Sequence, residues 1–150
     1  MTNDELFLDT SGLLCIFDRA DSRHQSASIL FRQSAKLITT NYVLTEFLPL
    51  AMSRKLHRTS SLFFLRDLVT LPRLQLFWIN ETMHERAMKL IENRLDKNYS
   101  TCDAVSFIVM RERKISDALT TDHLFRAGRL CSIAQIKKSV QTELAETLDH

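Results

Sequence analysis

The sequence predicts an α/β fold in which a parallel sheet is covered by helices on both faces. Three observations lead there. Short apolar runs of strand length recur along the chain, and segments with helical spacing of apolar residues separate them. With only two glycines and two prolines in 150 residues, little sequence is left for long loops.

Taken in order, Glu5–Asp9 reads as a first buried strand, and Thr10, Ser11 and Gly12 as a turn into a helix. His24–Ser34 carries Ala27, Ile29, Leu30 and Phe31 at helical spacing, and Leu37–Thr39 is the second strand. Asn41–Arg54 follows as a helix with Val43, Phe47, Leu50 and Ala51 inward, then Ser60–Thr70 as another. Gln75–Ile79 is the third strand, and Glu81–Leu95 and Ser100–Arg113 are helices. Ala118–Thr120 and Cys131–Ile133 complete a set of five candidate strands. Residues 134–150 read as an extra C-terminal helix, with Ile136, Val140, Leu144 and Leu148 forming a narrow apolar stripe. No repeat, low-complexity tract or internal boundary interrupts the chain, so residues 1–150 are expected to form one domain, its core about 5–133.

The apolar share of 45% and charged share of 25% are those of an ordinary globular domain. No apolar run approaches the roughly 20 residues of a membrane span, and "MTNDELF" lacks the basic start and apolar stretch of a secretory leader. Cys15, Cys102 and Cys131 have no metal-type spacing and read as core thiols of a cytoplasmic protein. The net charge of +2 is weak, but cations cluster in Ser53–Arg58, Arg111–Lys114 and Arg126–Arg129. Such clusters are most often solvated helix faces; contact with a phosphate backbone is the alternative.

Four acids stand where chemistry collects in parallel sheets. Asp9 ends the first strand and Asp122 follows the fourth, beyond the carboxyl ends where ligands gather in open α/β folds. Either acid could instead cap the next helix. Glu46 borders the apolar face of its helix, where it could equally snorkel or pair with a cation. Asp103 opens the helix "DAVSFIVM", apolar nearly all round, and its spacing from Ser100 fits a capping box. Together, these carboxylates converge on one edge of a parallel sheet and repel one another unless protons or a cation intervene. Oxygen donors alone suit Mg²⁺ or Mn²⁺ rather than zinc, and such ions typically serve phosphate chemistry.

The stretches "FLDTSGLL", "TNYVLTEF" and "YSTCDAVSFIVMRERKISDALTTDHLFRAG", in that order, resemble the PIN-domain nucleases. Within them they are most similar to the toxin ribonucleases of bacterial VapBC toxin–antitoxin pairs. The resemblance runs from about Leu6 to Ile133 and implies a three-layer α/β/α fold with a central parallel sheet. It places the family's catalytic, metal-binding acids on Asp9, Glu46, Asp103 and Asp122. Thr10, Ser11, Ser100 and Thr120 fall behind them as residues that orient a ligand or a water. The implied activity is Mg²⁺- or Mn²⁺-dependent endonucleolytic cleavage of RNA, leaving 5′-phosphate and 3′-hydroxyl ends. The implied partners are an RNA substrate, a cognate antitoxin and a second copy of the chain, with no membrane. Cys102 departs from the pattern, standing where a threonine is common.

Two rivals belong to other classes. A protein of this fold could bind RNA or a partner without cutting, although the intact acid set argues against it. A phosphatase that starts from an aspartate after a strand usually carries a second aspartate two residues on, and that place is Ser11. His123 beside Asp122 could act as a base, but RNA or solvent contact is the commoner role. His24, His57, His84 and His150 read as surface residues, and Trp78 and most phenylalanines as core. Tyr42 and Tyr99 are the candidates for base stacking, and Asp117 reads as a strand-start residue.

Overall fold

The computed structural model describes residues 5–121. Its element order is β1 (Glu5–Leu8), α1 (Thr10–Phe17), α2 (His24–Gln33), β2 (Lys36–Thr40), α3 (Asn41–Ser53), α4 (Arg58–Val69), β3 (Leu74–Phe77), α5 (Glu81–Asn93), α6 (Thr101–Arg113) and β4 (Ala118–Leu119). The expected strand Cys131–Ile133, the C-terminal helix, Asp122 and His123 lie outside the described residues.

The sheet is parallel throughout, in the order β3-β2-β1-β4. Every crossover is helical, as parallel pairing requires. The register pairs Phe7 with Ile38 and Ala118, and Leu8 with Leu119. Phe7 and Leu8 in β1, Leu37 and Ile38 in β2, and Leu119 in β4 are all buried. That explains why these strands read as continuous apolar runs rather than alternating ones.

The helices begin where polar side chains replace missing partners of the first amides. The Thr40 hydroxyl accepts from Val43 N–H at the start of α3, and the Asn80 side chain accepts from Met83 N–H at the start of α5. A ring nitrogen of His57 does the same for α4. Contrary to expectation, Thr10–Gly12 is no turn: α1 starts at Thr10. Gly12 makes this possible, because a methyl group placed there would lie 2.1 Å from the Leu119 carbonyl oxygen. The helix therefore sits almost against the backbone of β4.

One core runs through the structure. The Phe17, Phe47 and Phe64 rings meet at centroid distances of 5.2 to 5.9 Å, tying α1 to α3 and α4. In α6, Ala104, Val105, Ser106, Ile108, Val109 and Met110 are buried, as its nearly unbroken apolar run implied. Cys15 and Cys102 are free and buried, and burial pushes the Cys15 thiol up to about 11.

Two expectations of burial fail. Trp78, read as core, is 74% exposed, and Phe63 on α4 is also exposed. Trp78 follows the last residue of β3, an edge strand, so no neighbouring strand covers it there. His24 and His84 are not simple surface residues either. The His24 ring bonds the Cys15 carbonyl at 2.9 Å, and the Tyr42 hydroxyl meets His84 Nδ1 at 2.5 Å.

Candidate active site

Three of the four acids come together. Asp9, Glu46 and Asp103 line one cavity of about 290 Å³, with Thr10, Ser11, Leu50, Ser100 and Thr121. It opens beyond the carboxyl end of β1, where the start of α1, the middle of α3 and the start of α6 meet. Asp122, the fourth acid, is the residue after Thr121 and lies outside the described residues.

Asp9 occupies the N-cap position of α1 but makes no side-chain cap bond. Its Oδ2 instead accepts from the Ser11 hydroxyl at 3.1 Å and the Thr120 hydroxyl at 2.9 Å. Ser11 and Thr120 are themselves 3.2 Å apart, and Ser11 Oγ accepts from Thr121 N–H at 2.9 Å. Below this network, Asp9 N–H donates to the Leu119 carbonyl at 3.2 Å. The end of β1 and the end of β4 are thus latched together around one carboxylate.

That carboxylate is buried, and burial raises its pKa from 3.8 to about 6. The Thr120 hydrogen bond opposes the rise and the negative charge of Asp103 adds to it.

Glu46 is half-buried on α3, and its Oε2 accepts from the Thr10 hydroxyl at 3.0 Å. Asp103 forms the expected capping box: Ser100 Oγ accepts from Asp103 N–H at 3.0 Å, and Asp103 Oδ2 accepts from Ser100 N–H at 2.9 Å. Cys102, buried beside them, lies with its sulfur 4.0 Å from the Thr10 hydroxyl, and its thiol pKa is raised well above the usual range by burial and the nearby Glu46. It is an uncharged side chain packed against Thr10.

Among the described residues, no three acid, histidine or cysteine side chains lie close enough to hold an ion as they stand. The donor chemistry nevertheless suits a hard cation: oxygen donors alone, around a buried carboxyl whose ionisation is suppressed by burial and a like charge. The hydroxyl network is only partly visible in the sequence. Thr10, Ser11 and Thr120 could be named, but the pairing of Ser11 with residues 109 and 110 positions away could not.

Asp117 sits just before β4 and is a strand-start residue, as expected. Tyr42 is engaged with His84, and Tyr99 packs edge-on against Phe107 at 5.0 Å. No helix among the described residues is long and apolar enough to cross a membrane.

Comparison with known proteins agrees with this fold. The chain is 30% identical over 124 residues to the 23S rRNA-specific endonuclease VapC20 of Mycobacterium tuberculosis, covering 82% of this chain and 93% of that protein. The crystal structure of VapC20, described as a sarcin–ricin loop cleaving toxin, superposes with a TM-score of 0.74 at 28% identity, over 81% of this chain and 93% of that one. VapBC2 from Rickettsia felis, solved bound to a DNA fragment from its promoter, shares the fold with a TM-score of 0.56 at 12% identity, over 85% and 98% of the two chains. The family described as PIN domain matches residues 6–129, and with that span of the chain matched, the protein belongs to the PIN domain family.

Proposed function

We propose that this protein is a metal-dependent endoribonuclease of the VapC toxin type, hydrolysing RNA phosphodiester bonds in the cavity between Asp9, Glu46 and Asp103. The observation that carries the reading is that cavity, which carboxylates from three separate elements line at the sheet's carboxyl edge. Family membership and the similarity to VapC20 support it.

Asp9, Glu46, Asp103 and Asp122 are the residues that would hold Mg²⁺ or Mn²⁺. When bound, the cation neutralises phosphoryl charge and favours ionisation of the attacking water. The chain's own residues do the rest. Ser11 and Thr120 fix the direction of Asp9, Thr10 fixes Glu46, and the capping box with Ser100 fixes Asp103. Carboxylates held this way lose little freedom when a ligand arrives, which is the benefit of preorganisation. The expected products carry 5′-phosphate and 3′-hydroxyl ends.

The surrounding assignments follow from the same reading. Residues 1–150 form one domain that acts in the cytoplasm. A cognate antitoxin restrains it, and two copies pair as a homodimer. Ribosomal RNA is the first substrate to inspect, because VapC20 is named for 23S rRNA.

The test is incubation of total bacterial RNA with purified protein and Mn²⁺, with Asp103→Asn in parallel. Discrete fragments from the unaltered protein alone, abolished by a chelator and restored by Mn²⁺, support the proposal. Intact RNA in both lanes refutes cleavage, and full activity in the chelator refutes the metal.

A further inference from the structure

A second cavity, of about 250 Å³, lies between α5 and α6. Arg86, Lys89 and Asn93 project into it from α5 at steps of three and four, and Phe107 and Arg111 from α6 at a step of four. No acid lines it. Arg86 pairs with Glu112 at the exposed rim, an ion pair of little strength in solvent. Among the described residues, Lys89 and Arg111 make no ion pair.

Exposed cations on a helix are ordinary, and singly these would mean nothing. Here three converge from two helices on a concave space with an aromatic wall. Their place on α6 matters more. Asp103, Phe107 and Arg111 follow one another at intervals of four residues, so the groove begins one helical turn from the acid site. Eight residues at about 1.5 Å each put Arg111 about 12 Å along the helix axis from Asp103. A few nucleotides of single strand span that distance.

We propose that the α5–α6 groove is the track for single-stranded RNA flanking the cut. Lys89, Arg111 and Arg86 neutralise its phosphates, and Phe107 supplies an apolar wall for a base or ribose. The proposal rests on the ribonuclease reading above. It adds a substrate-binding site outside the acid cavity, with backbone positioning as its role.

The test is the double variant Lys89→Ala/Arg111→Ala, both residues being exposed and outside the acid cavity. A charge-matched control, Lys55→Ala/Arg58→Ala, alters exposed cations at the connection between α3 and α4. Binding of a labelled single-stranded oligoribonucleotide is measured against salt in an Asp103→Asn background. Cleavage is measured in the active protein, with thermal unfolding confirming that each variant folds. The groove variant should bind about tenfold more weakly at low salt. Its log–log salt slope should be shallower by about 1.4, at about 0.7 for each single-strand phosphate that is no longer neutralised. In cleavage, KM should rise while kcat at saturating RNA stays unchanged. An unchanged slope and KM in a protein that still cuts RNA overturns the groove and leaves the ribonuclease reading intact. An equal loss in the control overturns it as well, showing a general charge effect. If the unaltered protein neither binds nor cuts RNA, both readings fall together.

Discussion

Replacing Gly12 by alanine sets two effects of opposite sign against each other. Alanine is favoured over glycine within a helix by about 1 kcal/mol, so local preference alone predicts a more stable protein. The structure predicts the reverse. A methyl group at Gly12 would stand 2.1 Å from the Leu119 carbonyl oxygen and 2.6 Å from its carbonyl carbon, and backbone cannot rotate away as a side chain can. Ordinary contact demands a displacement of about 1 Å or more. A shift of that size would stretch the 3.2 Å bond from Asp9 N–H to Leu119 O past any useful length. The lost hydrogen bond costs about 1 kcal/mol and the overpacking about 1–3 kcal/mol. After the helical gain, the net loss is about 2 kcal/mol.

Urea unfolding reads this directly. With a slope of about 2 kcal/mol per molar, the midpoint should fall by about 1 M. Cleavage should fall too, because Thr120, which orients Asp9, is the residue after Leu119. A Gly12→Ala protein as stable as the parent would refute the close approach of α1 to β4, and with it the account of how Asp9 is aligned.

Three further outcomes follow from the site and the core. The folded pKa of Asp9 lies near 6 against 3.8 unfolded, so the folded state binds the proton more tightly, and in chelator stability should fall as pH rises from about 4 through 6, by about 3 kcal/mol. Asp9→Asn should flatten that dependence, and a pH profile of urea midpoints identical to the parent's would contradict it. Ser11→Ala strips one donor from Asp9 and the acceptor from Thr121 N–H; it should cost about 1–2 kcal/mol and reduce kcat at least tenfold, and unchanged turnover would rule out its role in aligning the site. Phe47→Ala should cost about 3–5 kcal/mol and lower Tm by about 10 °C, measured by circular dichroism, since the ring is fully buried between Phe17 and Phe64; a shift of only a degree or two would mean that the aromatic cluster is loosely packed.

What could be read from the sequence tracks how local the physics is. The first four strands and the five helices from α2 to α6 fall within a few residues of expectation, because apolar runs and capping residues act over one or two turns. The Ser100–Asp103 box was legible for that reason: both partners lie within four residues, and both of its bonds are made. Trp78 was misread because its neighbours Leu76, Phe77 and Ile79 make an apolar run whatever lies beside them. Whether such a run is covered depends on strand order, and β3 stands at the edge. The turn expected at Gly12 fails for a similar reason. The glycine's need is for space against a distant carbonyl rather than for a special backbone angle, and no local pattern encodes the neighbour.

The acids divide along the same line. Their positions at strand ends and helix starts are local facts, and a parallel sheet is enough to bring such positions to one edge. Their readiness is a long-range fact. Asp9 is held by a hydroxyl from its own helix and another from Thr120, just past β4 and 111 residues later, while Glu46 is held by Thr10 across 36. Ser11 has a second partner as well, since its oxygen also accepts the amide of Thr121, the residue immediately ahead of Asp122 in the chain. A change at Ser11 therefore loosens Asp9 and frees the backbone leading to Asp122 in one step, whereas a change at Thr10 releases only the direction of Glu46. If the latch matters for turnover, Ser11→Ala and Thr120→Val should be far from additive, because each breaks the same network, while Thr10→Val combined with either should come closer to multiplying its effect. Additive losses for Ser11 and Thr120 would mean that each hydroxyl acts on Asp9 alone.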